Sequence, residues 1–259
     1  MKISRLIDVY THPHAIEAAL KSRPRDVVQL CVVEGEPART YAGILSLAEE
    51  GRVEIVNFRS HQHLLDHLRR PDTEGLRNIA AFVYRYELRS FEESLKKLAD
   101  SPIKEPQLLL MLDSLSDPQN VGAILRTAHG LGADVVLFPQ RRTAPITATV
   151  ANVAVGAIEK MQLIEVVNLN RAVEKLKEEG YWTVGLVVEG GGTFDQIPEV
   201  EKVVLVIGSE GKGVRPSIAK PCDFRVTIPM RRADFCLNAS VAAGIALYEM
   251  SRKIHLLTR

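Results

Sequence analysis

The chain has 259 residues, enough for one large α/β domain or for a small domain joined to a medium one, since domains usually run about 100–200 residues. Hydrophobic residues make up 46% and charged residues 25%, with mean hydropathy at zero, which excludes the disordered and fibrous classes. A formal net charge of +1 excludes nucleic-acid binding through bulk charge, so any such binding must use local patches.

In chain order, the buried run VVQLCVV from Val27 predicts a strand, Tyr41–Glu50 a helix and Val53–Val56 a short strand. His61–Leu68 then reads as helix and Ile79–Tyr84 as strand, an alternation that gives a small α/β domain over 1–88. Phe91–Ala99 is an amphipathic helix, and the proline-flanked stretch that follows it lacks periodicity, so 89–106 is expected to be a linker. A second domain is expected over 107–259. It takes in strand Gln107–Leu112, helix Val121–Leu131, strand Asp134–Phe138, helix Thr147–Gly156, strand Gln162–Val166 and helix Arg171–Glu179. Strands Trp182–Val188, Val203–Ile207 and Phe224–Ile228 and a final helix from Asn238 to Arg252 complete it. Uniformly apolar strands separated by helices predict a parallel sheet covered on both faces.

Cys31, Cys222 and Cys236 are widely spaced, with no CxxC pair, so neither a disulfide framework nor a zinc site is expected. The N-terminus lacks the apolar core of a signal peptide, and no apolar run reaches the length of a membrane span, so the expectation is a cytoplasmic protein with no membrane association. His61, His63 and His67 do not form a helical pair at metal spacing and read as surface residues, and no metal is expected.

Ligands in open α/β folds collect beyond the carboxyl ends of strands, and three polar, glycine-bearing segments follow strands here. In the first, Asp113 to Ala128, either Asp117 or Asn120 can cap the following helix and Arg126 falls in its second turn, where Asn120 and Arg126 can approach one ligand; an ordinary capped helix with a solvated arginine explains the segment as well. In the second, 207–216, three glycines after a buried strand permit close backbone approach, although a tight turn would explain them too. It is neither a phosphate loop of the GKS/T kind nor a GxGxxG dinucleotide turn, which sets aside nucleotide-triphosphate and dinucleotide enzymes. In the third, a strand ends in Ile228-Pro-Met230 and Asn238 or Ser240 starts the last helix. There Ala239, Ala242, Ala243 and Ala246 form a small-residue stripe suited either to the core or to contact with another helix.

Taken together, DPQNVGAILRTA, VLVIGSEGKGVRP and IPM with LNASVAAGIALYE resemble the three motifs of the SpoU/TrmH ribose methyltransferases of the SPOUT superfamily. The resemblance covers Leu109 to Glu249, including the intervening NVAVGAIEK. It implies a parallel-sheet domain closed by a trefoil knot, a feature that neither composition nor periodicity can reveal. It also implies S-adenosylmethionine held at Gly208, Ile228 and Leu237 with Met230 beside them, and methyl transfer to a ribose 2′-hydroxyl. In the family the arginine matching Arg126 is the proposed base, although a guanidinium normally stays protonated, so an electrostatic role for Arg126 stands beside that one. Asn120 and Glu210 resemble the groups that hold this arginine and the RNA, and Asn238 matches the asparagine of the third motif.

Cys236 departs from the pattern, since most members have Ser-Leu-Asn where this chain has Cys236-Leu-Asn238. If the serine hydroxyl makes one hydrogen bond, its loss costs about tenfold in rate. Cys236 as a covalent nucleophile is disfavoured, because no base motif accompanies it.

His14 to Leu20 is similar to the opening helix of the small RNA-binding domain of rRNA-modifying members, which points to large-subunit rRNA as substrate. Where those members tend to carry a His-Gln-Gly-like turn, this chain has Glu74-Gly-Leu. A tRNA ribose methyltransferase and a non-catalytic RNA- or cofactor-binding relative are the alternatives. RNA contacts are expected from Arg141, Arg142, Lys212, Arg215, Arg231 and Arg232, which share loops near the predicted site. The resemblance further implies a homodimer in which the final helix and the first motif meet the partner subunit.

Overall fold

The computed structural model describes residues 6–35, 39–69, 77–100, 106–232 and 235–257, with only the backbone at 99–100. The chain forms two compact units, Met1–Glu87 with Ile146–Lys160, and Leu88–Pro145 with Met161–Arg259. The Glu74-Gly-Leu turn lies outside the described residues.

In the first unit, β1 (Ile7–Tyr10), β2 (Val27–Val33), β3 (Glu54–Phe58) and β4 (Ile79–Tyr84) form a sheet of order β1-β4-β2-β3. β4 runs antiparallel to both its neighbours, while β2 and β3 are parallel. The helices are α1 (Pro13–Ser22), α2 (Ala42–Glu50) and α3 (His61–Leu68). Leu64 and Leu68 of α3 close over Val9, Cys31, Val33 and Ala80 of the sheet. Strand β1 is absent from the expected elements because its four residues are too few to show a period.

The same unit takes in a stretch expected in the second domain. Helix α4 (Ala148–Val153) is followed by a 3-10 turn at Ala157–Lys160. Asn152 Oδ1 accepts from the backbone N–H groups of Thr11 (2.8 Å) and His12 (3.1 Å), just ahead of α1. Glu159, its side chain 1% exposed, accepts from Arg23 Nε (2.8 Å), Arg23 Nη2 (2.9 Å) and Ser22 Oγ (3.0 Å). Burial, then the Glu159 carboxylate, pushes the Tyr10 phenol well above its usual range. Gly156, at φ +85°, lies so close to α1 that a Cβ there would sit 2.7 Å from the His14 carbonyl oxygen, so only glycine fits.

The second unit holds a seven-stranded sheet of order β11-β9-β10-β6-β7-β8-β5, with every pairing parallel. Its strands are β5 (Arg89–Ser90), β6 (Gln107–Leu112), β7 (Val135–Pro139), β8 (Gln162–Val166), β9 (Trp182–Leu186), β10 (Lys202–Ile207) and β11 (Phe224–Val226). Its helices are α5 (Phe91–Asp100), α6 (Pro118–Gly130), α7 (Leu169–Glu178), α8 (Pro216–Ala219) and α9 (Ala239–Lys253).

Val204 and Val206 of β10, with Leu109 and Met111 of β6, pack under α7 and α8 through Leu169, Val173, Leu176 and Ile218. On the other face α9 lies against β10 and α6. Both faces are therefore covered, which is why these strands read as unbroken apolar runs.

The compact units divide the chain differently from the expected 1–88, 89–106 and 107–259. Residues 89–100, expected as linker, supply the edge strand β5, paired to β8, and helix α5. Most apolar residues of 146–160, Ile146, Val150 and Ile158 among them, are buried in the first unit, a partner that periodicity cannot name. Among the described residues no helix is long and apolar enough to cross a membrane, and no cluster of His, Cys, Asp and Glu is placed to hold a metal ion.

Candidate functional site

The site is built at the carboxyl ends of β6, β9 and β10. Beyond Ile207 the chain enters loop 208–215, where Ser209 and Gly213 exchange backbone hydrogen bonds of 3.2 and 2.9 Å. Gly213 takes φ +64°, and a Cβ on Gly208 would lie 1.9 Å from its carbonyl carbon. Two segments of backbone thus meet where only glycine fits.

The loop is anchored by a residue that the motif reading passed over. Asp113, at the end of β6 and 0% exposed, accepts from Arg215 Nε (2.8 Å) and backbone N (3.0 Å), with Arg215 Nη2 at 2.7 Å and Ser114 Oγ at 3.1 Å. The Arg215 guanidinium, expected to meet RNA, is thus turned inward onto a carboxylate. Its signal was an acidic residue closing an apolar strand, where a charge is buried only when paired.

Glu210, Asn120 and Asn238 converge from three distant stretches. Asn120 Nδ2 donates to Glu210 Oε1 (2.8 Å) and Asp117 Oδ2 (2.9 Å). Asn238 Nδ2 donates to Glu210 Oε1 (2.7 Å) and Asn120 Oδ1 (3.0 Å). Asn238 also caps α9, its Oδ1 accepting from Ser240 N at 2.9 Å. Its two ends therefore fix the helix start and the Glu210 loop together.

Next to this cluster is a largely apolar cleft with about 570 Å³ of empty space, part of it open to solvent. All four expected cofactor residues line it, Gly208, Ile228, Met230 and Leu237, together with Glu210 and Cys236. Leu186, the last residue of β9, and Val187 and Val188 just beyond it complete the wall and were not singled out from sequence; their only signal is an apolar run that continues past the end of the strand. The Cys236 thiol is exposed at the cleft.

Arg126 is neither bonded to this cluster nor part of the cleft lining. Helix α6 starts at Pro118 with Asp117 as cap, three residues ahead of the expected Val121, so Arg126 falls in the third turn and not the second. Six residues of helix place it about 120° around the axis from Asn120. It is exposed, does not line the cleft, and among the described residues has no hydrogen bond or ion pair.

The alanine stripe resolves toward the core, with Ala239, Ala243 and Ala246 buried and Ala242 at the cleft. The opposite side of α9 exposes Val241 (49%), Ile245 (38%) and Tyr248 (50%), an apolar row at helical spacing. Lys212, Arg231 and Arg232 are exposed on loops beside the site, and Arg141 and Arg142 are exposed beyond β7.

Residues 107–248 match the family model described as the SpoU rRNA Methylase family. A protein of Staphylococcus aureus, named as a TrmH family tRNA/rRNA methyltransferase, is 35% identical over 244 residues, 93% of this chain and 94% of its own. A tRNA/rRNA methyltransferase of Synechocystis is 41% identical over 202 residues, 77% of this chain, and the match spans 50% of that longer protein. Among solved structures, an RNA 2′-O ribose methyltransferase superposes with a TM-score of 0.76 at 21% identity, covering 98% of this chain and 91% of that one. A SpoU methyltransferase from Streptomyces viridochromogenes, in complex with AdoMet, superposes with a TM-score of 0.73 at 21% identity, covering 95% and 90%.

Proposed function

The chain belongs to the SpoU rRNA methylase family, and from that premise we propose that it transfers a methyl group from S-adenosylmethionine to a ribose 2′-hydroxyl of RNA, with large-subunit rRNA as substrate. The observation that carries this reading is the convergence of Asn120, Glu210 and Asn238 beside the cleft of Gly208, Ile228, Met230 and Leu237. A small α/β unit ahead of the site supports the choice of rRNA.

The cleft fits the cofactor by its own chemistry. Gly208 carries no Cβ where it packs against the Gly213 backbone, which lets the loop fold back tightly along the cleft wall, and the apolar side chains around it suit an adenine ring and exclude water. When bound, S-adenosylmethionine supplies an electrophilic methyl group on a sulfonium. The remaining work falls to the chain. Glu210, fixed by two amide donors at the cleft wall, holds the first and third motifs in register. Arg126 acts on the 2′-hydroxyl, and because a guanidinium remains protonated, its part is to align the hydroxyl and stabilise the charge that develops on its oxygen.

Among the described residues Arg126 meets no hydrogen-bond or ion-pair partner, and the apolar row of Val241, Ile245 and Tyr248 lies on α9, which packs on the Arg126 helix. Both features support a homodimer in which Arg126 of one subunit completes the cleft of the other.

The test is transfer of labelled methyl from S-adenosylmethionine to bulk rRNA and, separately, to bulk tRNA, followed by digestion to nucleosides. The expected product is a 2′-O-methyl nucleoside from rRNA, strongly reduced with Arg126→Ala. Label on a base, or equal labelling by both proteins, would remove the ribose reading or Arg126 from it; label on tRNA alone would change the substrate.

A further inference from the structure

Beyond the carboxyl ends of β7 and β8 lies a second cleft, with about 700 Å³ of empty space, part of it open to solvent, lined by Pro139, Gln140, Arg141, Arg142, Val167, Leu169 and Arg215. Its floor is held firmly. Gln140 N donates to the Val166 carbonyl (2.9 Å) and Ala144 N to the Leu115 carbonyl (2.7 Å), so the loop that carries both arginines is tied at either end. Arg142 sits at φ +71°, a conformation that favours glycine and that other residues hold at a cost, as functional sites often do.

The charges are unequal in kind. Arg215 is matched by Asp113, whereas among the described residues neither Arg141 nor Arg142 has a hydrogen bond or ion pair. Guanidinium groups gathered on one cleft repel one another until an anion joins them, and the planar fork of arginine suits the oxygens of a phosphate.

Position then selects the anion. In the sheet, β6 lies between β10, which leads into Gly208, and β7, which leads into the arginine loop. Two strand spacings make the offset between those strand ends about 10 Å. Arg215 ties the two clefts together, because its loop walls the first and Arg215 itself lines the second.

We propose that the Arg141, Arg142 and Arg215 cleft is a phosphodiester subsite, which holds an RNA backbone phosphate flanking the nucleotide whose ribose enters the first cleft. The proposal rests on the RNA reading given above. It assigns Arg141 and Arg142 to phosphate contact and leaves Arg215 as the positioning residue between the two clefts.

Bulk rRNA is the probe, with affinity measured over a series of salt concentrations and S-adenosylmethionine affinity measured in parallel. Relative to the unaltered protein, R141A/R142A is expected to bind rRNA about tenfold more weakly, the loss of a charge-assisted contact. The slope of log affinity against log salt becomes shallower by about 0.7, the value for one phosphate on a single strand. Cofactor affinity is unchanged, and R141K/R142K recovers most of the binding. R141A/R142G gives the same result with the left-handed backbone relieved, which separates phosphate contact from loop strain.

If the unaltered protein methylates rRNA while R141A/R142A keeps its affinity and salt slope, the subsite is overturned and the functional reading stands. If the unaltered protein neither binds nor methylates RNA, both fall. If cofactor binding is lost together with RNA binding in every variant, the arginines shape the loop and the subsite is overturned.

Discussion

The Arg215 guanidinium lies against the fully buried Asp113 carboxylate, with Nη2 2.7 Å from Oδ1, and so fastens the glycine loop after β10 to the end of β6. Removing one partner of such a pair leaves a buried charge uncompensated, which typically costs about 3–5 kcal/mol. Arg215→Ala is therefore expected to lower the urea midpoint of the second unit markedly. Adding Asp113→Asn should restore much of the loss, because the charge goes with its partner. A double variant no more stable than Arg215→Ala would show that the pair contributes little.

Glu210 joins the first and third motifs through two amide donors on one oxygen. Hydrogen bonds to a charged group contribute about 1.5–3 kcal/mol each, and exposure of Glu210 favours the lower end. Glu210→Ala is expected to lower kcat/KM for rRNA methylation at least about tenfold. Asn120→Ala should cost about as much, and the double variant less than the sum, since both changes break one network. Additive losses would mean that the two residues act separately.

A methyl group at Gly208 would have to displace the Gly213 backbone, 1.9 Å from the Cβ position. Calorimetric titration with S-adenosylmethionine should show Gly208→Ala binding at least about tenfold more weakly, with the fold intact by circular dichroism. Ser209→Ala, one residue on, should bind normally. Equal affinities for both variants would detach the glycine from the cofactor cleft.

The three cysteines differ in reactivity. Burial, then the Glu54 carboxylate, pushes Cys31 up to about 12, and burial, then Asp223, pushes Cys222 up to about 11, whereas Cys236 is exposed at the cleft. At pH 7.5 a disulfide reagent should titrate one thiol quickly in the folded protein and all three in guanidinium. S-adenosylmethionine should slow the quick one. Both buried thiols have folded values above the unfolded value of about 8.5, so their contribution to stability is whole below that pH and is lost as pH rises toward about 11. The urea midpoint should accordingly fall between about pH 8.5 and 10, and less so for Cys31→Ala/Cys222→Ala.

Ile245 stands in the middle of the exposed apolar row on α9. A charge there would meet the partner subunit in the proposed dimer. Light scattering should give a dimer for the unaltered protein and a monomer for Ile245→Asp, with methyl transfer lost and binding of S-adenosylmethionine retained. A monomeric protein that is fully active would end the proposal that Arg126 acts across an interface.

Strands such as Gln107–Leu112 and Ile79–Tyr84 have the same bounds in sequence and structure, because an unbroken apolar run bounded by polar residues leaves little choice of register. The cofactor residues were legible through resemblance, since glycine and a few apolar side chains carry no chemical mark of their own. Asp113 and Leu186 to Val188 were not, because a carboxylate at a strand end and a short valine run mean nothing until the loop that covers them is known. The placement of Arg126 failed on a boundary: a proline at the first helical position starts α6 a turn early, and each added residue rotates the side chain by about 100°.

The segment Ile146–Lys160 belongs, by its contacts, to a unit whose other residues precede it by some sixty positions. Evolutionary loss or laboratory deletion of the first 87 residues would strip the cover from Ile146, Val150, Ala151 and Ile158, and would strand the Glu159 carboxylate without its guanidinium. A shortened descendant could remain soluble only by rewriting that stretch as well. The first 87 residues and the 146–160 segment are thus bound to change in concert, and genetic exchange between relatives should keep the contacts of Gly156 and Glu159 together rather than cut by chain order.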